Sequence, residues 1–223
     1  MKKLKTIFIF ILAVLPAICT AVAVFFILPD TVALHFNLSG QVDRYGSKYE
    51  ILTFPAIILG IALFFFIIRK VAKIASTDDE KTARNLDVLD TAILLIFVFF
   101  NVLCIFLLTV MKNPSIMQND SSVLFIILSA CLGILFILMG NILPKTRRNA
   151  MIGMRMKFCM DTDEHWYIAN RAGGIAMVLA GLCTIIAGLV FRNLTSVFVM
   201  VLSLIVFLTV ASVYSYVLIK KKQ

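Results

Sequence analysis

Six apolar runs, each long enough to cross a bilayer as a helix and none carrying a charged side chain, leave this chain few folds to adopt. They lie near Thr6–Leu28, Ile51–Ile68, Thr91–Met111, Val123–Leu143, Gly174–Phe191 and Thr195–Ile219. A hydrocarbon core about 30 Å thick takes about 20 helical residues. Lipid cannot hydrogen-bond an open backbone, so runs of this kind cross as helices. The composition agrees, at 61% hydrophobic against roughly 45–50% for soluble domains. The reading is an all-α polytopic membrane protein with six transmembrane helices. An ionisable side chain in mid-span usually marks an ion or substrate path, and this sequence has none there.

Charge asymmetry sets the orientation. Lys and Arg outside the runs number three at the N-terminus, five in the second loop, six in the fourth and three at the C-terminus; the intervening loops hold two, one and one. Basic residues concentrate on the cytoplasmic side, which places both termini inside (N-in/C-in). The formal charge of +9 is then chiefly a topology signal. No loop is long enough to be a basic nucleic-acid-binding domain, so no direct nucleic-acid binding is expected. Lys2, Lys3 and Lys5 ahead of an apolar run resemble a leader, but the run continues to Leu28 and is read as a retained first span.

On this reading the chain divides in three. Residues 1–68 hold the first two spans and an extracytoplasmic loop at 29–50. Residues 69–122 hold a cytoplasmic loop, the third span and an outer turn. Residues 123–223 hold spans four to six with a cytoplasmic loop at 144–173. Thr77 and Glu80 have capping-box spacing, so a helix starting near Asp78 should run into the third span. Asn101, the strongly polar residue deep in that span, is expected to make an interhelical hydrogen bond. Asp120 or Ser121 is expected to cap the fourth span.

The loop at 144–173 is too rich in Arg, Gly and Asn, and holds the only Trp, to be a mere connection. Ile152, Met154, Met156, Phe158 and Met160 alternate with Gly153, Arg155, Lys157 and Cys159. A period of two predicts an extended ribbon with one apolar and one basic face, the latter available to membrane lipid headgroups. Asp161 and Glu164 again have capping-box spacing, predicting a short helix over His165–Arg171 with Trp166, Ala169, Asn170 and Gly173 on one face. Trp166 is expected at the membrane interface. Gly174, Gly181 and Gly188 then recur every seven residues, a small-residue seam that admits a close helical neighbour.

In the outer loop, Val32, Leu34, Phe36 and Leu38 alternate with Thr31, Ala33, His35 and Asn37, predicting a strand before a turn at Ser39-Gly40. His35 lacks a neighbouring His or Cys and is read as a structural hydrogen-bonding residue rather than a metal ligand. The five Cys residues form no CxxC pair. No catalytic constellation, metal site or cofactor site is expected, and the chain is not read as an enzyme.

The inner loop resembles the signature of the SdpI-type bacterial immunity proteins: Gly140-Asn141, Pro144, then Asn149, Gly153 and Arg155, then Trp166 and Asn170-Arg171. The outer loop resembles a domain of unknown function often joined to that family, through Pro29, His35, Asn37, Gly40, Asp43, Gly46 and Lys48. This resemblance implies a multi-pass protein of the bacterial cytoplasmic membrane that protects a cell from a secreted peptide toxin. It further implies, in the best-understood type, retention of a cytosolic winged-helix repressor at the membrane. On that basis Pro29, His35, Asn37, Gly40, Asp43 and Arg44 are the expected toxin-facing residues. Lys157 joins the inner motif as an expected partner contact. The family commonly reads G-x-R-T-P-W-T-L where this chain has Gly153-Met154-Arg155-Met156-Lys157-Phe158-Cys159-Met160, so the Thr-Pro-Trp core is absent and a Lys is gained. A small transporter or exporter is the alternative function.

Overall fold

The computed structural model describes residues 2–39, 41–74, 79–149 and 151–221. Gly40 of the expected turn and Thr77 of the expected cap lie outside the described residues. Among those described, six helices are long and apolar enough to cross a membrane. They are α1 (Lys2–Phe26), α2 (Thr53–Ile74), α3 (Asp79–Lys112), α5 (Ser122–Ile142), α6 (Asp163–Phe191) and α7 (Leu194–Lys221). A hairpin of β1 (Thr31–Phe36) and β2 (Val42–Ser47) joins α1 to α2, and a five-residue helix α4 (Ser115–Asn119) lies in the turn between α3 and α5.

The spanning helices form two groups, α1–α2–α3 and α5–α6–α7. In the first, Ile9, Ala13, Ile58, Ala62, Leu89, Ile93 and Phe97 make one buried cluster. Asn101 Nδ2 donates to the Leu12 carbonyl across the helix pair at 2.8 Å and to Phe97 O of its own helix at 2.7 Å, the interhelical bond its position implied. At the basic end of this group Lys5 pairs with Asp87 at 2.7 Å, and Arg69 pairs with the buried Asp90 at 2.8 Å while reaching Thr6 Oγ1. Removing one partner of such a buried pair costs about 3–5 kcal/mol because a charge is left uncompensated. The pair therefore fixes how α2 and α3 meet.

In the second group α6 is the central helix, packing on α5 and on α7. Its glycines face backbone. A Cβ on Gly174 would lie 2.6 Å from the Gly140 carbonyl oxygen, and one on Gly181 would lie 2.5 Å from that of Gly133. One on Gly188 would meet the Ser129 side chain at 2.3 Å. The seven-residue repeat of α6 thus has its counterpart in Ser129, Gly133 and Gly140 of α5.

Four local expectations are corrected. The outer loop is a two-stranded antiparallel hairpin, not a lone strand; β2 reads VDRYGS, with no apolar alternation to reveal it. Met151–Met160 is not a ribbon: it bends, then closes in a 3-10 turn over Lys157–Cys159, and no strand among the described residues pairs with it. Helix α6 is capped by Thr162, whose hydroxyl accepts from His165 N at 3.1 Å, and not by Asp161. The expected short helix is continuous with the fifth span, since Gly173 and Gly174 are held against neighbours rather than left to break the helix. Asp120 does serve the start of α5, accepting from Ser122 N at 2.9 Å, and bonding to Ser122 holds its carboxyl below the usual range.

The seam makes a direct prediction. Gly181→Ala forces two backbones apart and should lower thermal stability in detergent by about 1–3 kcal/mol, the usual cost of overpacking. Gly60→Ala, where an added Cβ meets nothing within 4 Å, should be neutral or stabilising. Equal effects of the two changes would mean that the glycines are not what sets the α5–α6 distance.

Candidate functional site

The inner loop is built around the first two turns of α6. Trp166 is buried, and its indole Nε1 donates to Thr146 O and Thr146 Oγ1, each at 3.1 Å. One turn on, the buried Asn170 accepts from Met154 N at 2.8 Å through Oδ1 and donates from Nδ2 to the Trp166 carbonyl at 2.9 Å. Gly153 sits between these side chains at φ +127, a conformation L side chains rarely adopt. Any Cβ there would lie 2.6 Å from both Asn170 Oδ1 and the Trp166 ring. Gly153, Trp166 and Asn170, separate in sequence, are therefore one packing unit. Trp166, expected to present its amphipathic ring to the membrane interface, is instead buried within the protein, and its N–H finds a protein acceptor.

Asn149 performs the equivalent task upstream. Its Oδ1 accepts from Met151 N and Ile152 N at 2.6 and 2.9 Å, and its Nδ2 donates to Arg147 O and Ile152 O. Pro144 starts the 3-10 turn that ends α5 and packs its ring against Gly174. Gly140, Pro144, Asn149, Gly153, Trp166 and Asn170 are thus the frame. The remaining motif residues point outward: Asn141, Arg155, Lys157 and Arg171 are exposed. Asn141 Nδ2 bonds only its own helix at Ile137 O, and Arg171 lies 3.5 Å from the Tyr167 hydroxyl. The basic alternation expected for residues 155 and 157 is met without a strand.

Sequence reading missed the part of the loop that α3 supplies. The buried Asn85 accepts from Arg147 N at 2.8 Å, and Arg84 Nε donates to Lys145 O at 3.2 Å. Asp163 accepts from Lys81 at 3.3 Å and forms an ion pair with Arg148 at 3.3 Å, while Arg148 Nη1 donates to the carbonyls of Met160 and Asp161. The available signal was Asn85 itself, a polar residue in the helical row of Leu89 and Ala92, all three buried. Phe158 packs edge-on against Tyr216 at 5.3 Å, tying the loop to α7. A polar pocket of about 190 Å³ remains between Arg84, Arg147, Arg148, Trp166 and Tyr167.

Chemistry is poorly served here. Burial pushes the Cys159 thiol above its ordinary range, away from the nucleophilic thiolate. His165 Nδ1 is buried without a hydrogen-bond partner among the described residues, with Asp161 Oδ2 4.0 Å away. These groups hold no base–nucleophile pair.

The outer hairpin is a second ordered surface. Val32 of β1 is buried with Ala23, Val24 and Leu28 of the first helix segment, Ile51 and Met111. The register shifts at His35, which sits opposite Arg44, and His35 Nδ1 lies 2.6 Å from Asp43 Oδ1. The expected structural role of His35 is met. Asn37 Oδ1 accepts from Ser39 N and Gln41 N, each at 3.0 Å, and so shapes the tip. Arg44 pairs with Glu50, Glu50 caps Ser47, and Lys48 pairs with Asp30 at 3.0 Å. Pro29, His35, Asn37, Asp43, Arg44, Tyr45 and Tyr49 are all exposed.

The single Trp makes the frame measurable. Gly153→Ala should expel the loop from α6 and shift Trp166 fluorescence to the red, whereas Lys157→Ala should leave the emission unchanged. An unshifted spectrum in Gly153→Ala would remove Gly153 from the frame.

Comparison with known proteins follows this division of the molecule. Residues 145–215 match the SdpI/YfhL protein family, and residues 11–59 match DUF1648, a domain of unknown function. No curated protein and no solved structure matches the chain. The first match covers the loop frame from Asn149 on, α6 and most of α7; the second covers most of α1, the hairpin and the start of α2. The chain is a multi-pass membrane protein with an SdpI/YfhL family region over residues 145–215 and a DUF1648 domain ahead of it.

Proposed function

We propose that this is an immunity protein of the bacterial cytoplasmic membrane. The hairpin meets a secreted peptide toxin outside, and the inner loop retains a cytosolic partner, such as a winged-helix repressor. The observation that carries the reading is that α3 touches both surfaces. Lys81, Arg84 and Asn85 hold the inner loop, and Met111 packs in the hairpin core. From Asn85 to Met111 is about 39 Å at about 1.5 Å per residue. A single unbroken helix of this length is a rigid link between two faces, which a signal from toxin to partner requires. The SdpI/YfhL family region supports an immunity-type membrane protein.

The division into frame and outward residues sharpens the expected contacts. Trp166 and Asn170 are buried and present no surface to a partner, so Arg155, Lys157 and Arg171 carry that contact. On the outer face Asp43, Arg44, Tyr45 and Tyr49 offer charge and aromatic area.

Two measurements test the reading. A toxin-sensitive bacterium expressing the chain should survive an Sdp-type peptide, and His35→Ala with Asp43→Asn should abolish survival without reducing the amount of protein in the membrane. Sensitivity despite normal membrane levels of the unaltered chain would refute immunity to that peptide. Arg155→Ala with Arg171→Ala should release a membrane-held partner. Asn85→Ala should do so too while leaving the outer face intact, because it strands Arg147 N–H at a cost of about 1–3 kcal/mol. Retention unaltered in both variants would exclude the inner loop as the partner surface.

A further inference from the structure

The pocket of about 190 Å³ beside Trp166 is lined by three arginines, Arg84, Arg147 and Arg148, against one acid, Asp163. Its floor and its open side differ. Trp166 and Thr146 are buried, whereas Arg84, Arg147, Asp163 and Tyr167 are exposed. The polar groups of the floor satisfy one another, since the indole N–H donates to Thr146 O and Thr146 Oγ1. The donors still available stand at the open side.

Two hydrogen bonds to the loop backbone place those donors. Arg84 and Asn85 are neighbours near the start of α3, and each grips the loop. Arg84 Nε donates to Lys145 O at 3.2 Å, and Asn85 Oδ1 accepts from Arg147 N at 2.8 Å. Two guanidinium groups some sixty residues apart in sequence are thereby brought to one pocket. Asp163 is engaged by Arg148 and Lys81, and Arg148 Nη1 donates to Met160 O and Asp161 O. Among the described residues no acid pairs with Arg84, and the Arg147 side chain makes neither a hydrogen bond nor an ion pair.

We infer that this pocket receives a carboxylate side chain, Asp or Glu, presented by the cytosolic protein that the inner loop holds. Charge calls for an anion, because two guanidinium groups without an acid offer planar, forked donors that match the two oxygens of a carboxylate. Size calls for a side chain rather than a free molecule, since the volume lies below the roughly 300–1,000 Å³ of small-molecule sites. A lipid is not served. No lining residue lies in the apolar runs at 91–111, 123–143 or 174–191, so an acyl chain would have no wall to follow. Arg171, whose Nη1 lies 3.5 Å from the Tyr167 hydroxyl, continues the basic face outward from the pocket. The inference rests on the reading of the inner loop as a partner surface and adds the chemistry that surface recognises.

The full chain in mild detergent, titrated with rhodamine-labelled, amidated Ala-Glu-Ala-Glu-Ala and with its Gln counterpart, tests this by fluorescence anisotropy. The Glu peptide should bind and change the emission of Trp166, the single Trp, which lines the pocket; the Gln peptide should do neither. Arg147→Gln removes a side chain without a partner in the fold, so the emission of the free protein should not move. Its affinity for the Glu peptide should fall on the order of tenfold. Arg147→Lys should recover part of that loss, and Lys220→Gln, at the basic end of α7 outside the pocket, should change nothing. Equal binding of the two peptides overturns the proposal. So does a loss in Lys220→Gln as large as that in Arg147→Gln, which reduces the site to general attraction by a basic face. Binding that leaves Trp166 emission unmoved puts the peptide elsewhere and overturns it too. Displacement of the peptide by inorganic phosphate, where chloride of the same ionic strength does not displace it, gives the pocket to a phosphate instead. No toxin enters these measurements. A chain that fails the survival test but binds the Glu peptide through Arg147 loses the immunity reading and keeps the pocket; a protective chain that binds neither peptide loses the pocket alone.

Discussion

One stripe of α6 holds the family region together. Trp166, Asn170, Gly174, Gly181, Thr184 and Gly188 follow one another at intervals of three, four or seven along that helix, all buried. In its membrane half the stripe is made of small residues, and the backbones of α5 and α6 meet through Gly133, Gly140, Gly174 and Gly181. Lipid offers no hydrophobic force to press two helices together, and association rests on close packing. In its aqueous half the same stripe changes character. Trp166 and Asn170 replace glycine and reach out to hold Thr146 and Met154, so the loop docks on the helix that the membrane has already positioned. The inner loop is therefore ordered because α6 is continuous through it. Met154 lies against Gly173, at the join of the two halves.

This continuity explains what could be read from sequence and what could not. The six spans, the buried face of Trp166, Ala169, Asn170 and Gly173, the glycine repeat and the Asn101 bond were all legible, since each is a local pattern of period 3.6 or a composition limit set by lipid. The ribbon failed for a physical reason: alternation records which side chains are covered, and Phe158 and Cys159 are covered by α7 and the loop itself, not by a strand partner. The second hairpin strand was hidden because Asp43, Arg44 and Tyr45 all face solvent, leaving no buried side to alternate against. It is held by its pairing with β1 and by Glu50, which hooks back to Ser47 and Arg44. The contributions of Arg84, Asn85 and Lys81 to the inner loop are contacts across some sixty to eighty residues, and no local pattern encodes them.

Helix α3 is a member of two structures at once. Its Leu89, Ile93 and Phe97 belong to the core of the first helix group, and its first turns belong to the inner loop of the second. A cleft of about 820 Å³ between α2, α3, α5 and the inner loop follows from this double membership. With α3 bonded to the loop by polar contacts near its start and packed on α1 and α2 farther along, the two groups diverge between these points and leave a space lined by both. The Arg69–Asp90 pair, with Asp90 buried, joins α2 to α3 at 2.8 Å.

The separation of frame from surface also bears on how a family of this kind diversifies. Gly153, Trp166 and Asn170 form a unit in which each residue's role requires the others, so substitution at one is felt at all three. Residues 155, 157 and 171 carry no such constraint, since their side chains lie outside the packing unit. In the segment where the family commonly has Thr-Pro-Trp, this chain places Met156, Lys157 and Phe158, accommodated by a 3-10 turn and a ring contact to Tyr216. That change alters what the loop displays without touching the residues that hold it. A partner read by this loop would therefore be selected by the displayed charges, while the frame behind them, anchored on α6, stays the same.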